Sequence, residues 1–276
     1  MEQGGHTTSR TDRVDTPVSS DSPVLLREGV GTVDPPTTDE QRLECVALIP
    51  PTAKKILDLG TNVGGVPWAI KQRTPDAYVV GVDLDERATE IASQRMDEFH
   101  VFNLTAEHAE WEKQPWYQEG GYDCVLLLDI VEHVLESQRL VESAKRLLAP
   151  DGVIVASIPQ VRSGPLLYRL AALGRWEYFN HAAPHRAWAG PVDNVLADAH
   201  VRFFCQRDIE QLFLSVGMSI TDWSVSLMDA RGLEQWTQDL ADLIGKHAGA
   251  AQRADFLASS NVIQFIFRAE RPRLTS

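Results

Sequence analysis

Cysteine is scarce. Cys45, Cys124 and Cys205 are far apart, odd in number and without a C-x-x-C pair. That argues against a disulfide framework and against structural zinc, and it fits a reducing compartment. Long apolar runs are missing as well: none approaches the roughly 18 residues of a membrane span. The N-terminus shows no basic start followed by an apolar core, so secretion is unsupported. Basic clusters are also lacking. With a formal net charge of −13 and no Lys/Arg-rich run, neither a phosphate-tracking surface for nucleic acid nor a patch for anionic membrane is expected. There are no internal repeats. What remains is a chain of 276 residues, 43% hydrophobic, able to bury a sizeable core. One domain plus a tail, soluble and cytoplasmic, is the expectation.

Residues 1–22 are Thr, Ser, Gly, Asp and Arg with almost nothing apolar, and read as a disordered tail ahead of a single domain over 23–276. Thr38 and Gln41 have the spacing of a capping box for a helix carrying Leu43, Val46 and Leu48, which Pro50-Pro51 ends. Strand and helix then alternate. Lys54–Leu59 is a first strand, Val66–Arg73 a short helix, and Tyr78–Asp83 a second strand. Glu86–Phe99 has helical spacing through Ala88, Ile91, Ala92, Met96 and Phe99, and Val101-Phe102 is a weak third strand. Tyr122–Leu128 is a buried strand ending at Asp129, Ser137–Leu148 an amphipathic helix, Pro150-Asp151-Gly152 a turn, and Val153–Ile158 a fifth strand. Further on come a helix at Arg207–Val216 capped by Gly217, a strand at Ile220–Val225, a helical stripe from Leu233 to Ile244 and a last strand at Val262–Phe267.

Such alternation with short connections predicts an α/β fold built on a doubly wound, mainly parallel sheet, closed by an antiparallel pair at the C-terminal end. Ligands of such sheets sit beyond the carboxyl ends of the strands. Asp58, Asp83 and Asp129 all fall at strand ends and should meet at one crevice, far apart as they are in sequence. The first of these ends runs Asp58-Leu59-Gly60-Thr61-Asn62-Val63-Gly64, an apolar strand meeting a glycine-spaced loop where a ligand can approach the backbone closely. Asn62 stands where a glycine would be easiest, but Asn is the side chain that best tolerates positive φ.

This turn resembles the first motif of class I S-adenosylmethionine-dependent methyltransferases, an acid-x-G-x-G-x-G loop. A more specific match is Tyr122-Asp123-Cys124-Val125-Leu126-Leu127-Leu128-Asp129-Ile130-Val131-Glu132-His133-Val134, followed by the Leu148-Ala149-Pro150-Asp151-Gly152 turn. It is similar to the methyltransferase subgroup that ends its fourth strand in an acid followed by x-x-Glu-His. His200-Val201-Arg202-Phe203-Phe204 and Val216-Gly217-Met218 resemble later segments of that subgroup. In place of the usual Thr or Ser cap stands Cys205, which predicts a looser start to the following helix.

The resemblance implies S-adenosylmethionine as cofactor, bound by Asp58, Gly60, Asn62, Gly64, Asp83, Leu84, Leu128 and Asp129. In it, Asp83 accepts hydrogen bonds from both ribose hydroxyls; the other reading of Asp83 is a helix cap, a task for which Asp85 is better placed. It implies transfer to a small-molecule acceptor, on an oxygen of a sugar or biosynthetic intermediate, with N-methylation as the alternative. An oxygen acceptor must lose a proton, and His is the side chain tuned for that near neutral pH. His133 is the first candidate base; His200 is the second, or orients the acceptor together with Arg202. Asp129, Glu132 and His133 also resemble the ligand set of metal-assisted relatives, so a divalent ion is an alternative to an unaided base. A nicotinamide-dependent oxidoreductase is the rival on a similar sheet.

Residues 160–205 interrupt the alternation and carry Tyr168, Trp176, Tyr178, Phe179, His181, His185 and Trp188. They read as a lid or acceptor pocket, or else as a satellite core beneath a long loop. The Leu233–Ile244 stripe reads as helix packing on the sheet, with a homodimer contact as the alternative.

Overall fold

In the computed structural model, which describes residues 43–174, 200–227 and 231–272, the apolar runs form seven strands. They are β1 (Lys55–Leu59), β2 (Tyr78–Asp83), β3 (Glu98–Val101), β4 (Tyr122–Leu128), β5 (Leu148–Pro159), β6 (Ser219–Leu227) and β7 (Val262–Glu270). All belong to one sheet in the order β3-β2-β1-β4-β5-β7-β6. The first five run parallel, and β7 lies antiparallel between β5 and β6. The doubly wound sheet with a C-terminal antiparallel pair is therefore present as expected.

The unbroken hydrophobicity of the central strands follows from burial on both faces. Along β4, Cys124, Leu126 and Leu128 join one core cluster, while Val125 and Leu127 join the other. The first cluster is covered by α1 (Leu43–Leu48) and α2 (Gly65–Arg73), which contribute Cys45, Val46, Val66 and Ile70. On the opposite face α5 (Ser137–Leu147) lays down Leu140, Val141, Ala144 and Leu147 at helical spacing. Between α2 and α5 in the chain come two short helices, α3 (Thr89–Ala92) and α4 (His108–Trp111). Trp111, Trp116 and Phe102 meet edge-on in the same core.

Four expectations change. The helix expected over Glu86–Phe99 is only a 3₁₀ turn at Glu86–Ala88 followed by α3, and β3 begins earlier, at Glu98. Two contacts outweigh the helical periodicity there. Met96 fills the space left by two glycines, since a Cβ on Gly81 or Gly64 would meet its Sδ or Cε at 2.3 or 2.6 Å. Asp97 accepts the backbone N–H of Val79 at 2.7 Å and the ammonium of Lys71 at 2.9 Å. Second, the expected turn at Pro150–Gly152 lies within β5 as an irregularity of register, Tyr122 pairing with Leu148 but Cys124 with Val153.

Third, the interruption after β5 begins with a regular helix, α6 (Gly164–Leu173), closed by Gly174 in the left-handed conformation. Ser163 stands at its N-cap without making a side-chain cap hydrogen bond, and the apolar residues that follow are nearly continuous, so periodicity alone does not reveal the helix. Fourth, Cys205 does not loosen α7 (Gln206–Ser215), because Asp208 accepts the backbone N–H of Cys205 at 2.8 Å and closes the turn from the other side. Two helices lie between β6 and β7, α8 (Glu234–Ala248) and the unanticipated α9 (Ala250–Ser259). Of the Leu233–Ile244 stripe, Trp236 meets Tyr168 of α6 edge-on while Leu243 is exposed, and α8 is tied to α9 by Asp242 pairing with Arg253 at 2.7 Å.

The tail at 1–22, the Thr38–Gln41 cap and the aromatic residues Trp176 to Trp188 lie outside the described residues. Among the described residues no helix is long and apolar enough to cross a membrane, and none of the three cysteines forms a disulfide.

Candidate active site

The carboxyl ends of β1, β2 and β4 are neighbours because the strands pair in register, Asp58 lying between Gly81 and Leu126 and Leu59 between Val82 and Leu127. The glycine-spaced turn leaves β1 and folds back on β2. Gly60 and Thr61 both donate backbone hydrogen bonds to the Val82 carbonyl, at 2.8 and 3.1 Å. Gly60, Asn62 and Gly64 all have positive φ, at +84°, +49° and +77°. Asn62 thus adopts the conformation for which glycine is usually needed. At Gly60 the demand is also steric, since an added Cβ would lie 3.1 Å from the side chain of Ile130. That contact sets the residues after β4 against the turn after β1.

The three acids are placed differently. Asp58 is 2% exposed and accepts the Thr61 hydroxyl at 2.7 Å, so its carboxylate braces the turn from beneath. Asp83 is half-buried at the end of β2. One of its oxygens accepts the backbone N–H of Asn62 at 2.7 Å and the other that of Asp85 at 2.9 Å. Asp85 caps the following turn, accepting the N–H of Arg87 at 3.0 Å, as its position suggested. Asp129 follows β4 with φ +52°, and its Oδ1 accepts the Ser157 hydroxyl at 2.7 Å and the side-chain amide of Gln264. The side chain of Leu128 is buried in the core, leaving only its backbone to address a ligand, whereas Leu84 is 56% exposed beside Asp83.

Past Asp129 the chain makes a 3₁₀ turn at Val131–His133. The segment 200–204 is laced to it. Val201 and Arg202 donate their backbone N–H groups to the Glu132 carbonyl at 2.9 and 3.0 Å, and the Arg202 guanidinium donates to the Leu135 carbonyl at 2.7 Å. Arg202 therefore binds the two segments together. Phe204 carries the segment on to β5 through a parallel bridge with Gln160. The result is that His133 and His200, distant in sequence, meet edge-on with ring centroids 4.7 Å apart. Glu132 is 1% exposed, with Oε1 4.0 Å from His200 Nε2.

Burial, and next to it the neighbouring His133, push the His200 pKa down to about 4, so its ring is neutral at physiological pH. One potential ligand atom from each of Glu132, His133 and His200 lies within 4.8 Å of the others. Asp129, expected in such a set, has turned to Ser157 and Gln264, and His200 takes its place. The sequence does not mark Ser157, Gln264 or Ile130 as site residues. Each is an ordinary strand or turn residue whose partner is set by the order of strands, which local pattern does not encode.

Residues 39–222 match the family described as a methyltransferase domain. A curated relative is the ubiquinone biosynthesis O-methyltransferase of Psychrobacter arcticus, 23% identical over 221 residues, covering 80% of this chain and 72% of that one. The corresponding enzyme of Acinetobacter baylyi is 26% identical over 121 residues, and there the chain spans about half of the relative, 49%. Among solved structures, an S-adenosylmethionine-dependent methyltransferase from Mesorhizobium loti shares the fold with a TM-score of 0.52 at 17% identity, over 83% of this chain and 96% of that one. One from Archaeoglobus fulgidus gives 0.52 at 11% identity, over 84% and 91%. The nicotinamide-dependent alternative is thereby set aside. With a family match across most of its length and a sheet ordered β3-β2-β1-β4-β5-β7-β6, the chain belongs to the class I S-adenosylmethionine-dependent methyltransferases.

Proposed function

We propose that the protein methylates an oxygen of a small molecule, a biosynthetic intermediate, with His133 as general base. The observation that carries this reading is the edge-on pair of His133 and His200, set just beyond Asp129 on the same turn that packs against Gly60. The resident cofactor supplies an electrophilic methyl on a sulfonium that already carries its leaving group, so the protein's own task is alignment and proton removal. The relatives named as ubiquinone biosynthesis O-methyltransferases support an oxygen acceptor over a nitrogen one and a biosynthetic intermediate over a sugar.

The residues fit the cofactor. A carboxylate offers roughly four lone-pair sites. At Asp83 two are taken by the N–H groups of Asn62 and Asp85, which leaves a pair for two vicinal hydroxyls. The turn at Gly60 presents backbone where a side chain would collide, and exposed Leu84 suits the edge of a flat base. Proton removal is assigned to His133 because His200 is the weaker candidate. A base works best when its pKa lies near the operating pH, and His200, lowered to about 4, is too weak. In this role His133 takes the hydroxyl proton on a ring nitrogen as the acceptor oxygen advances, while neutral His200 braces its face.

A second reading is favoured by the Glu132, His133 and His200 cluster. One carboxylate and two imidazoles suit a first-row divalent ion, which would acidify the acceptor hydroxyl in place of a free base.

The test is incubation with methyl-labelled S-adenosylmethionine and pools of hydroxylated aromatic acceptors and of amines, with label traced into product. Label in a methyl ether supports the reading. Label found on amines alone replaces it with N-methylation, and label in no small molecule overturns it.

A further inference from the structure

Asp129 is held in an unusual way. Its φ of +52° lies in the left-handed region, which is strained for a residue other than glycine. Three hydrogen bonds oppose that strain. The Asp129 N–H donates to the Ser157 carbonyl at 3.0 Å, the Ser157 hydroxyl donates to Asp129 Oδ1 at 2.7 Å, and the Gln264 amide donates to the same Oδ1. Ser157 is fully buried on β5, paired with Leu128 of β4 and Ile266 of β7. Gln264 sits on β7, opposite Pro159. Strands β5 and β7 thus both reach one oxygen of one carboxylate. Two donors on a single oxygen fix the carboxylate plane and so the direction of Oδ2. Neither of these two donors carries a charge, so what they contribute is orientation.

We propose that Gln264, seconded by Ser157, is a positioning residue for cofactor binding: it clamps Asp129 through Oδ1 so that Oδ2 receives the α-ammonium group of S-adenosylmethionine. This rests on the reading of Asp129 as a cofactor residue. The ligand carries two cationic groups, a sulfonium and an ammonium. The sulfonium must stay open to the incoming acceptor, so the ammonium is the one a carboxylate can hold. The placement agrees, since Asp83 takes the ribose end on the β2 side of the glycine turn and Asp129 lies on its β4 side, joined to Gly60 through Ile130. Gln264 lies beyond the residues that match the family, 39–222. The C-terminal antiparallel strand, otherwise a cover for the sheet edge, thereby acquires a share in the site.

The experiment compares two probes by calorimetry: S-adenosylhomocysteine, which keeps the ammonium, and 5′-methylthioadenosine, which lacks the amino-acid portion. Gln264→Leu should weaken S-adenosylhomocysteine about tenfold, the scale of one hydrogen bond to a charged group. It should leave methylthioadenosine within about twofold, the scatter of independent effects. Ser157→Ala, a change of one buried atom, should shift affinity in the same direction and serves if the Gln264 variant folds poorly. In an Asp129→Asn background Gln264→Leu should add nothing further. The proposal is overturned if Gln264→Leu leaves S-adenosylhomocysteine binding intact, weakens both probes alike, or acts additively with Asp129→Asn. If Asp129→Asn itself changes nothing while Asp83→Ala still weakens binding, the reading of Asp129 is what fails.

Discussion

Replacing Asp83 separates what its carboxylate does for the fold from what it does for the ligand. It accepts two backbone N–H groups, Asn62 at 2.7 Å from the glycine-spaced turn and Asp85 at 2.9 Å from the turn beyond β2. Both donors stand at the edge of the crevice, where water can replace a lost partner, so each bond is worth the low end of its range, about 1–1.5 kcal/mol. Asp83→Ala removes both and should lower unfolding stability by about 2–3 kcal/mol. Asp83→Asn keeps one acceptor oxygen but turns an amide N–H toward the other donor, and should cost about half as much. Affinity should follow a different rule. The lone pairs left for the ribose hydroxyls disappear in Ala, for a further loss of about 1–3 kcal/mol in S-adenosylmethionine binding. Urea unfolding measures the first quantity and titration calorimetry the second, at a temperature where each variant is folded. An Asp83→Ala protein that is destabilised yet binds the cofactor with unchanged affinity would refute the ribose assignment and leave Asp83 as a brace between two turns.

His133→Ala should depress turnover by about 10²–10⁴, the usual share of a general base, with little change in cofactor affinity; a fully active variant removes it from that role. If an ion held by Glu132, His133 and His200 takes part, a chelator should abolish turnover, a divalent salt should restore it, and His200→Ala should lower the bound metal per chain. Full activity in chelator dismisses the ion. Gly60→Ala should destabilise the protein by more than the 1–2 kcal/mol charged for left-handed backbone, because its Cβ would also press on Ile130 at 3.1 Å. Ile130→Val in that background removes Cδ1 but keeps Cβ and Cγ1, which lie equally close, and should recover only part of the steric share; an unperturbed Gly60→Ala in urea unfolding would contradict the turn geometry.

The parts of the fold that local chemistry dictates were readable from the chain. A run such as Cys124–Leu128 is apolar at every position because both faces of a parallel strand are buried, and an acid at its end has few places to go except the crevice. Asn62 could be assigned its positive φ from side-chain chemistry alone. Periodicity failed where a long-range contact outbid it. Nothing local distinguishes Met96 as a filler for Gly64 and Gly81, yet that contact shortens a helix by two turns. For α6 the local marks are only at its ends, Ser163 and Pro165 at the start and Gly174 at the stop, while the nearly continuous apolar residues between them show no helical period.

The candidate site divides along the same line. Asp83 and His133 belong to motifs whose spacing is fixed within one strand-turn unit, and the chain alone pointed to them. Gln264 belongs to no such unit. Its meeting with Asp129, 135 positions away, depends on β7 inserting antiparallel next to β5 and on a register that puts Gln264 opposite Pro159. A one-residue slip would carry that side chain to the other face of the sheet. The register in turn is held by Ile266 and Phe265 facing opposite core clusters. Core packing on the last strand therefore determines where a polar side chain arrives at the crevice, and a substitution at Ile266 that disturbs the register should alter cofactor affinity without touching the ligand.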